Sequence, residues 1–330
     1  MTAILNITNG SCSQHVMQQA GIKGEIVTWD DVLHEGPVPA SMTLPELSAV
    51  RARFIADQGQ GSYDEVLDKF ITRDNALMSF RDYDVLYLWF EHDLYDQLQL
   101  IQILNWLATQ DLRGSNIQLI CEPCYLGVIS ASEMSALFSK AKPLSYEQIS
   151  TATTAWQAFT LPTPEQWFQL LKQDTKCLPF LEGAVLRLLQ EYPYFHSGLS
   201  LTQQQVLMSI KQRPRSPNQI FSSYQQNEER RFMGDSTFWG YLAQMVLCDP
   251  PLINVLDGQR LVLTHSSTQQ LAITEYGEAV LAGDKSYPGL ASINRWIGGV
   301  HLTDKNMWCW DEQNRAVMKI NVTLPKTIEI

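Results

Sequence analysis

Acidic residues and histidines cluster at two points of the chain where an apolar segment ends. The first cluster, in WDDVLHEGPVP, contains Asp30, Asp31, His34 and Glu35. The second cluster, in LWFEHDLYD, contains Glu91, His92, Asp93 and Asp96. Carboxylates and imidazoles bind divalent metals through oxygen and nitrogen, and they also act as general acids and bases. The two clusters therefore predict a ligand-binding or reactive site, with a divalent metal as a candidate cofactor.

The second cluster has a structural interpretation as well as a functional one. Asp93 is well placed to cap the helix that comes next, and Asp96, three residues later, resembles a weak capping box. Capping leaves Glu91 and His92 unexplained, because a carboxylate and an imidazole at the end of a buried strand must find partners. We therefore expect catalytic roles for Glu91 and His92, together with His34 from the first cluster, whose loop is stiffened by two prolines.

A third candidate element is the segment Asn9-Gly10-Ser11, which precedes a helical pattern. Backbone N–H groups at the start of a helix form a ready binding site for phosphate or carboxylate. The segment matches neither G-x-G-x-x-G nor G-x-x-x-x-G-K-[ST], so neither dinucleotide-binding nor P-loop chemistry can be inferred. The alternative is a plain turn in which Ser11 or Ser13 caps the helix.

The elements around these residues alternate between strand and helix patterns. Apolar runs at 3–8, 24–31, 85–90 and 116–122 predict strands, and the segments between them predict helices. This alternation predicts a mostly parallel, three-layer α/β sheet of Rossmann-like type, in which ligands bind beyond the carboxyl ends of the strands. The candidate ligand-binding residues at those ends are Asn9, Gly10, Ser11, Asp30, Asp31, Glu35, Asp93 and Glu122.

Several known site motifs are absent. The chain contains neither H-E-x-x-H nor G-x-S-x-G. Cys121 and Cys124 form a single C-x-x-C at a predicted strand end, without the second pair that a structural zinc site needs. We interpret these two cysteines as incidental.

The remainder of the chain is predominantly helical. Residues 147–191 predict helices with an aromatic core stripe of Trp156, Phe159, Trp167 and Phe168. After them, a helix capped by Thr202, two more helices, a hairpin around Asp257-Gly258 and a final helix resemble a winged helix. Its third helix, 238–247, carries only Gln244 among the residue types that read DNA bases. This composition argues against DNA binding, and contact with a protein partner is the alternative.

A tryptophan-rich region near the end contains three further polar candidates. Arg295, His301 and Asp311 lie among three tryptophans, and we expect aromatic packing onto the main body. Gly298-Gly299 permits a close backbone approach, either to a ligand or within a turn.

Composition indicates the class of protein. The 330 residues are 45% hydrophobic, and the formal net charge of −11 argues against general attraction to nucleic acid or to anionic membranes. The absence of a long apolar run and of a secretory signal, with only six cysteines, predicts a cytoplasmic protein. We expect an α/β domain at 1–145, a helical linker at 146–195 and a winged-helix-like domain at 196–330.

Taken together, several motifs resemble those of bacterial proteins of domain-of-unknown-function family 1835. They are TNGS, WDDVLHEGPVP, LWFEHDLYDQLQL, the LSLT helix, ITEYGEAVL, RWIGGVHL and WCWD. The resemblance covers nearly the whole chain and implies a layout in two parts, without implying a reaction.

The residues themselves predict an enzyme or sensor for a phosphate-bearing small molecule, with a nucleotide as one candidate ligand and a divalent metal as a candidate cofactor. The alternative is a non-enzymatic regulator whose last domain contacts DNA or a protein.

Overall fold

The structure, a computed structural model, describes residues 2–320. The chain divides into two compact units. The first unit extends to Val185 and includes Trp296–Val300, and the second consists of Leu186–Arg295 and the chain from His301 onward. The mixed α/β class and the mostly parallel sheet of the N-terminal region are confirmed.

The predicted strands at 3–8, 24–31, 85–90 and 116–122 and the helices between them are confirmed, whereas the short strand at Gly36–Pro37 was not predicted. The strands are β1 (Ile4–Thr8), β2 (Glu25–Thr28), β3 (Gly36–Pro37), β4 (Val85–Phe90), β5 (Ile117–Cys121), β6 (Lys142–Pro143), β7 (Ile253–Val255), β8 (Leu271–Ile273), β9 (Arg295–Gly298), β10 (Val300–Leu302), β11 (Met307–Asp311) and β12 (Ala316–Ile320). The helices are α1 (Ser11–Gln19), α2 (Leu44–Asp57), α3 (Tyr63–Met78), α4 (Leu94–Ala108), α5 (Ala131–Ala136), α6 (Tyr146–Thr160), α7 (Glu165–Gln169), α8 (Leu181–Leu189), α9 (Leu201–Ile210), α10 (Pro217–Asn227), α11 (Asp235–Leu247) and α12 (Glu275–Ala282). Between residues 2 and 320, no helix has the length and apolar composition that crossing a membrane requires.

The main sheet of the first unit has the strand order β2-β1-β4-β5-β6. The first four strands in this order are parallel, and β6 is antiparallel to β5. Thr8 at the end of β1 lies opposite Thr28 on one side and Trp89 on the other. The carboxyl ends of β2, β1 and β4 therefore lie side by side, as predicted.

Helices cover both faces of this sheet. The connection β1-α1-β2 leads toward one edge and β4-α4-β5 toward the other, so right-handed crossovers place α1 and α4 on opposite faces. On the α1 face, Met17 packs with Trp89, Ile120 and Met134 in a buried cluster. The sheet is thus the middle layer of a three-layer unit.

The predicted helices between residues 147 and 191 are confirmed as α6, α7 and α8. Trp156, Phe159 and Trp167 are buried, and Phe168 is half-buried. The predicted close approach at Gly298-Gly299 is also present within the first unit. A Cβ on Gly299 would overlap the carbonyl of Thr160, so the chain's own backbone occupies the space.

Two local predictions in the second unit are wrong. Ser200, not Thr202, caps α9, because Ser200 and Gln203 form a reciprocal capping box while the Thr202 hydroxyl donates to Glu191. The predicted second strand of the hairpin, directly after Asp257-Gly258, does not form. Instead, β7 pairs with β8, which lies further along the chain. The Asp257 carboxylate closes this loop by accepting from the Gln259 N–H at 3.0 Å.

A buried ion network lies inside the second unit. Arg187 contacts Glu191 at 2.8 Å and Glu228 at 2.6 Å. Arg295 contacts Glu191 at 3.3 Å, which gives this arginine of the tryptophan-rich region a packing role. His301 hydrogen-bonds Asn294 at 2.6 Å, and Asp311 accepts from Asn314 in a turn.

Candidate functional site

The candidate site lies where β1 and β4 end, next to each other in the sheet. From β1 the chain passes to one neighbour, β2, and later returns to the other neighbour, β4. Such a reversal of strand order opens a crevice at the carboxyl ends of the two strands, where open α/β sheets bind ligands. Asn9 comes directly after β1 and Glu91 directly after β4, so both residues lie at this crevice.

Three carboxyl groups meet at this point: Glu91, Asp93 and Asp96 are all buried, and each offers a ligand atom within 4.8 Å of the others. The Asp93 side chain accepts from the Asp96 N–H at 3.1 Å, which confirms the predicted N-cap of α4. The Asp96 side chain accepts from the Glu91 N–H at 2.6 Å instead of completing a capping box. The start of α4 therefore holds the acids together through its own backbone.

Asn9 and the loop after β5 complete the polar cluster. The Asn9 amide donates to Asp96 at 2.9 Å, and the Ser13 hydroxyl donates to the Asn9 side-chain oxygen at 2.5 Å. The Leu126 N–H donates to the Glu91 carboxylate at 2.7 Å. The carboxyls thus accept from Asn9 after β1 and from the loop after β5, and Ser13 of α1 holds the Asn9 side chain in place.

The electrostatics of the three carboxyls are unfavourable for full ionisation. Burial, and secondly the charge of Glu91, raise the pKa of Asp93 to about 8. Burial likewise raises the pKa of Glu91 and holds that of Asp96 well above its usual range. Within residues 2–320, no lysine or arginine forms an ion pair with any of the three. Protons or a cation must therefore balance their charge.

The donor set suits a hard divalent cation. Mg²⁺, Mn²⁺ and Ca²⁺ take carboxylate, amide and water oxygens, and three carboxyl groups close together supply the protein share of such a shell. Glu91, Asp93 and Asp96 are the residues that could hold the ion. Across the described residues 2–320, no other group of three or more His, Cys, Asp or Glu side chains converges in this way.

The N-terminus of α1 lies beside the carboxyl cluster. Gly10 occupies the N-cap position in extended backbone and supplies no side-chain cap. The alternative that Ser11 or Ser13 caps this helix is therefore wrong: Ser11 is its exposed first residue, and the Ser13 hydroxyl turns to Asn9. The first turn contains no acidic residue, so its N–H groups can donate hydrogen bonds to an anion.

Asp31 is held in a buried ion network. Its carboxylate accepts from Arg51 at 2.9 Å and lies 3.5 Å from Arg73. Arg51 also donates to the carbonyls of Glu35 and Val32, at 2.6 and 3.0 Å. These contacts fasten the loop after β2 to α2 and α3, and they give Asp31 a structural partner.

The remaining predicted residues are distributed around the rim. His34 is buried with its ring 6.2 Å from that of Tyr95, and the half-buried His92 ring lies 4.9 Å from Tyr125. Glu122, at the end of β5, forms an ion pair with Lys140 at 2.5 Å. Asp30 is exposed, and its Oδ1 lies 2.9 Å from the position that a Cβ on Gly10 would occupy.

Three polar residues of α4 make contacts at the site that the sequence did not predict. Asp96, which the sequence placed in the second cluster but assigned individually only a capping role, belongs to the carboxyl cluster. Gln97 donates to the Glu91 carbonyl at 2.7 Å, and Gln99 donates to the Asp31 carbonyl at 3.1 Å. Asp and Gln side chains inside the otherwise apolar segment LYDQLQLIQIL were the signal, because buried polar groups need partners.

A cavity of about 660 Å³ lies next to this region, between β2, α3 and Tyr95 of α4. Its wall combines apolar side chains, such as Ile26 and Phe70, with polar ones. The polar side chains include Gln14, Thr28, Asp30, Lys69 and Arg73. The Tyr95 hydroxyl lies 3.5 Å from the Asn9 carbonyl, and Asp30 touches the Gly10 turn. These two residues therefore connect the cavity to the start of α1.

Comparison with known proteins does not identify the chain. No family model matches the sequence, and no curated protein is significantly similar to it. The resemblance to family 1835 stays a prediction.

Proposed function

We propose that the first unit binds a phosphate-bearing small molecule together with a divalent cation. The observation that carries this proposal is the cluster of Glu91, Asp93 and Asp96, buried without a lysine or arginine ion pair within residues 2–320. A cation held by these residues would neutralise the carboxyl groups and would supply electrostatic attraction for a phosphate.

The N-terminus of α1 supplies the second half of the binding site. Phosphate oxygens accept from the first N–H groups of α1, next to the Gly10 turn. Asn9 donates to Asp96 and thereby links this turn to the cation ligands. The two features together favour a phosphate over an uncharged ligand.

An enzyme and a sensor share this binding step, and only an enzyme then converts the bound molecule. In an enzyme, His92 or His34 would transfer a proton at the rim, as the sequence led us to expect, whereas Glu91, for which the sequence also predicted a catalytic role, is assigned here to the cation. Turnover of a bound phosphate ester, measured as release of inorganic phosphate, separates an enzyme from a sensor.

Thermal unfolding tests the binding proposal. The full chain is heated with inorganic phosphate, ribose 5-phosphate or nucleoside 5′-monophosphates, each with and without Mn²⁺. A ligand present at a hundredfold excess over its dissociation constant adds about 2.7 kcal/mol of stability. We expect a phosphate compound to raise the midpoint more with Mn²⁺ than without it.

A matched pair of variants localises the effect. The Asp96→Asn variant should lose the Mn²⁺-dependent increase, and the Asp57→Asn variant, altered at an exposed acid of α2, should keep it. If no phosphate compound stabilises the wild-type chain with or without Mn²⁺, the proposal is wrong.

We also propose that the second unit has a winged-helix arrangement, which supports the alternative of a regulator. Arg215, between α9 and α10, bridges Leu271 of β8, and β8 pairs with β7; these contacts support the proposal. The exposed positions of α11 are Ser236, Gly240, Gln244 and Leu247, and none is basic. We therefore expect contact with a protein rather than DNA, and salt-dependent DNA affinity lost on neutralising Arg213 and Arg215 would contradict this.

A further inference from the structure

Building on the proposed function, we infer that the cavity beside α1 binds the nucleoside part of a ribonucleoside monophosphate, with Asp30 accepting hydrogen bonds from the ribose hydroxyls. The proposed phosphate position and the cavity are adjacent, since Asp30 lines the cavity and its Oδ1 lies against the Gly10 turn. A ligand whose phosphate lies on α1 therefore extends its remaining atoms into the cavity.

The size and wall of the cavity suit a nucleoside. Small-molecule sites commonly enclose about 300–1,000 Å³, and this cavity encloses about 660 Å³. Ile26, Val27, Val66 and Phe70 offer an apolar surface to a flat base. A bare phosphate or a small acid would leave most of this apolar surface in contact with water.

Asp30 is positioned to recognise neighbouring hydroxyl groups. It lies just beyond the end of β2, twenty residues after Gly10, and it lines the cavity. A carboxylate accepts hydrogen bonds without donating any, so it pairs with the donors of a cis-diol. In doubly wound folds that bind nucleotides, an acidic residue at this place in the chain contacts the ribose.

The turn before α1 favours a mononucleotide over a dinucleotide. In G-x-G-x-x-G, the second and third glycines allow close approach of the pyrophosphate and close packing of the helix. Counting from Gly10, these positions are Cys12 and His15. The Cys12 Cβ lies 2.8 Å from the position that a Cβ on Gly127 would occupy, so the loop after β5 closely covers the first turn.

Titration calorimetry tests this inference. Ribonucleoside 5′-monophosphates, their 2′-deoxy counterparts and inorganic phosphate are each titrated into the full chain with Mn²⁺ present. We expect a ribonucleotide to bind roughly tenfold more tightly than its 2′-deoxy counterpart, because the deoxy sugar leaves Asp30 with one donor fewer.

Two alanine variants test whether the preference for ribose depends on Asp30 or on the negative charge of the cavity in general. Asp30→Ala should bring the ratio of deoxy to ribo dissociation constants close to 1. Asp68→Ala removes another exposed acid of the same cavity and should keep the preference for ribose. The Asp30→Asn variant retains one acceptor oxygen and should give an intermediate ratio.

The outcomes separate this inference from the proposed function. If inorganic phosphate binds and nucleotides bind no more tightly, the cavity does not hold a nucleoside and the inference is wrong. An unchanged ribose preference in Asp30→Ala also overturns it. If neither phosphate nor nucleotides bind the wild-type chain, the proposed function itself fails and the inference falls with it.

Discussion

Asn9 at the end of β1 donates its side-chain amide to Asp96 in the first turn of α4, at 2.9 Å, across 87 positions of the sequence. The same side chain accepts from the Ser13 hydroxyl at the start of α1. A single residue thus connects the carboxyl cluster to the helix at which we place the phosphate.

Truncation of Asn9 should therefore destabilise the first unit. Asn9→Ala removes the donor to one oxygen of the buried Asp96 carboxyl and the acceptor of the Ser13 hydroxyl, which costs about 1–3 kcal/mol in the free energy of unfolding. Urea denaturation monitored by tryptophan fluorescence measures this loss. The control is Asn116→Ala at an exposed position, which should change stability by less than about 0.5 kcal/mol. Equal effects of the two substitutions would contradict a linking role for Asn9.

Arg51 should be among the most sensitive positions near the loop after β2. It is fully buried against Asp31, so Arg51→Met leaves a buried carboxylate with only the more distant Arg73 and should cost about 3–5 kcal/mol. Arg53→Met removes an exposed arginine two positions away in α2 and should cost less than about 1 kcal/mol. Denaturation curves of the two variants provide the comparison, and similar midpoints would show that the network contributes little.

Glu191 should make the second unit sensitive to acid. Burial alone would raise its pKa, but Arg187 and Arg295 outweigh burial and lower it from 4.5 to about 2. Since the folded pKa lies below the ordinary value, the stabilisation is complete above about pH 4.5 and is lost as the pH falls toward 2. The full difference corresponds to about 3 kcal/mol.

The measurement compares the unfolding free energies of the wild-type chain and Glu191→Gln between pH 5 and pH 2.5. The wild-type chain should lose stability more steeply than the variant, which has no carboxylate to protonate at this position. Parallel pH profiles would show that Glu191 is not held ionised by the two arginines.

Two glycine substitutions should have effects of opposite sign. Gly299→Ala places a methyl group against the carbonyls of Thr160 and Leu161 and should destabilise the first unit by about 1–3 kcal/mol. Gly240→Ala lies in α11 with no atom within 4 Å of the new Cβ, and it should stabilise the second unit by about 0.5–1 kcal/mol. Thermal unfolding of both variants tests this, and an unchanged or raised midpoint for Gly299→Ala would contradict the packing at Gly299.

Periodicity was sufficient to predict four strands of the main sheet and the helices between them, but β3, α5 and β6 were not predicted. The predicted strand 85–90 coincides with β4, because a continuous apolar run bounded by polar residues can be buried on both faces of a parallel sheet. The hairpin around Asp257-Gly258 was wrong because turn chemistry is local. It does not reveal that β7 pairs with a segment beyond the loop.

Tertiary partners could not be predicted in the same way. Asp31 and Asp30 are adjacent in sequence, yet one pairs with two arginines of α2 and α3 and the other lines a cavity. Arg51 and Arg73 lie on ordinary amphipathic helices, and nothing in the sequence indicates that both turn inward to the same carboxylate. Such contacts depend on how the helices pack after the strands have paired.

Mn²⁺ titration of the full chain by calorimetry tests the central claim most directly. We predict saturable binding to a single site in the wild-type chain, loss of that binding in a folded Glu91→Gln/Asp96→Asn variant, and its persistence in Asp57→Asn/Asp64→Asn, which alters exposed acids only. A wild-type chain that binds no Mn²⁺, or a Glu91→Gln/Asp96→Asn variant that binds it equally well, would contradict a cation site at Glu91, Asp93 and Asp96.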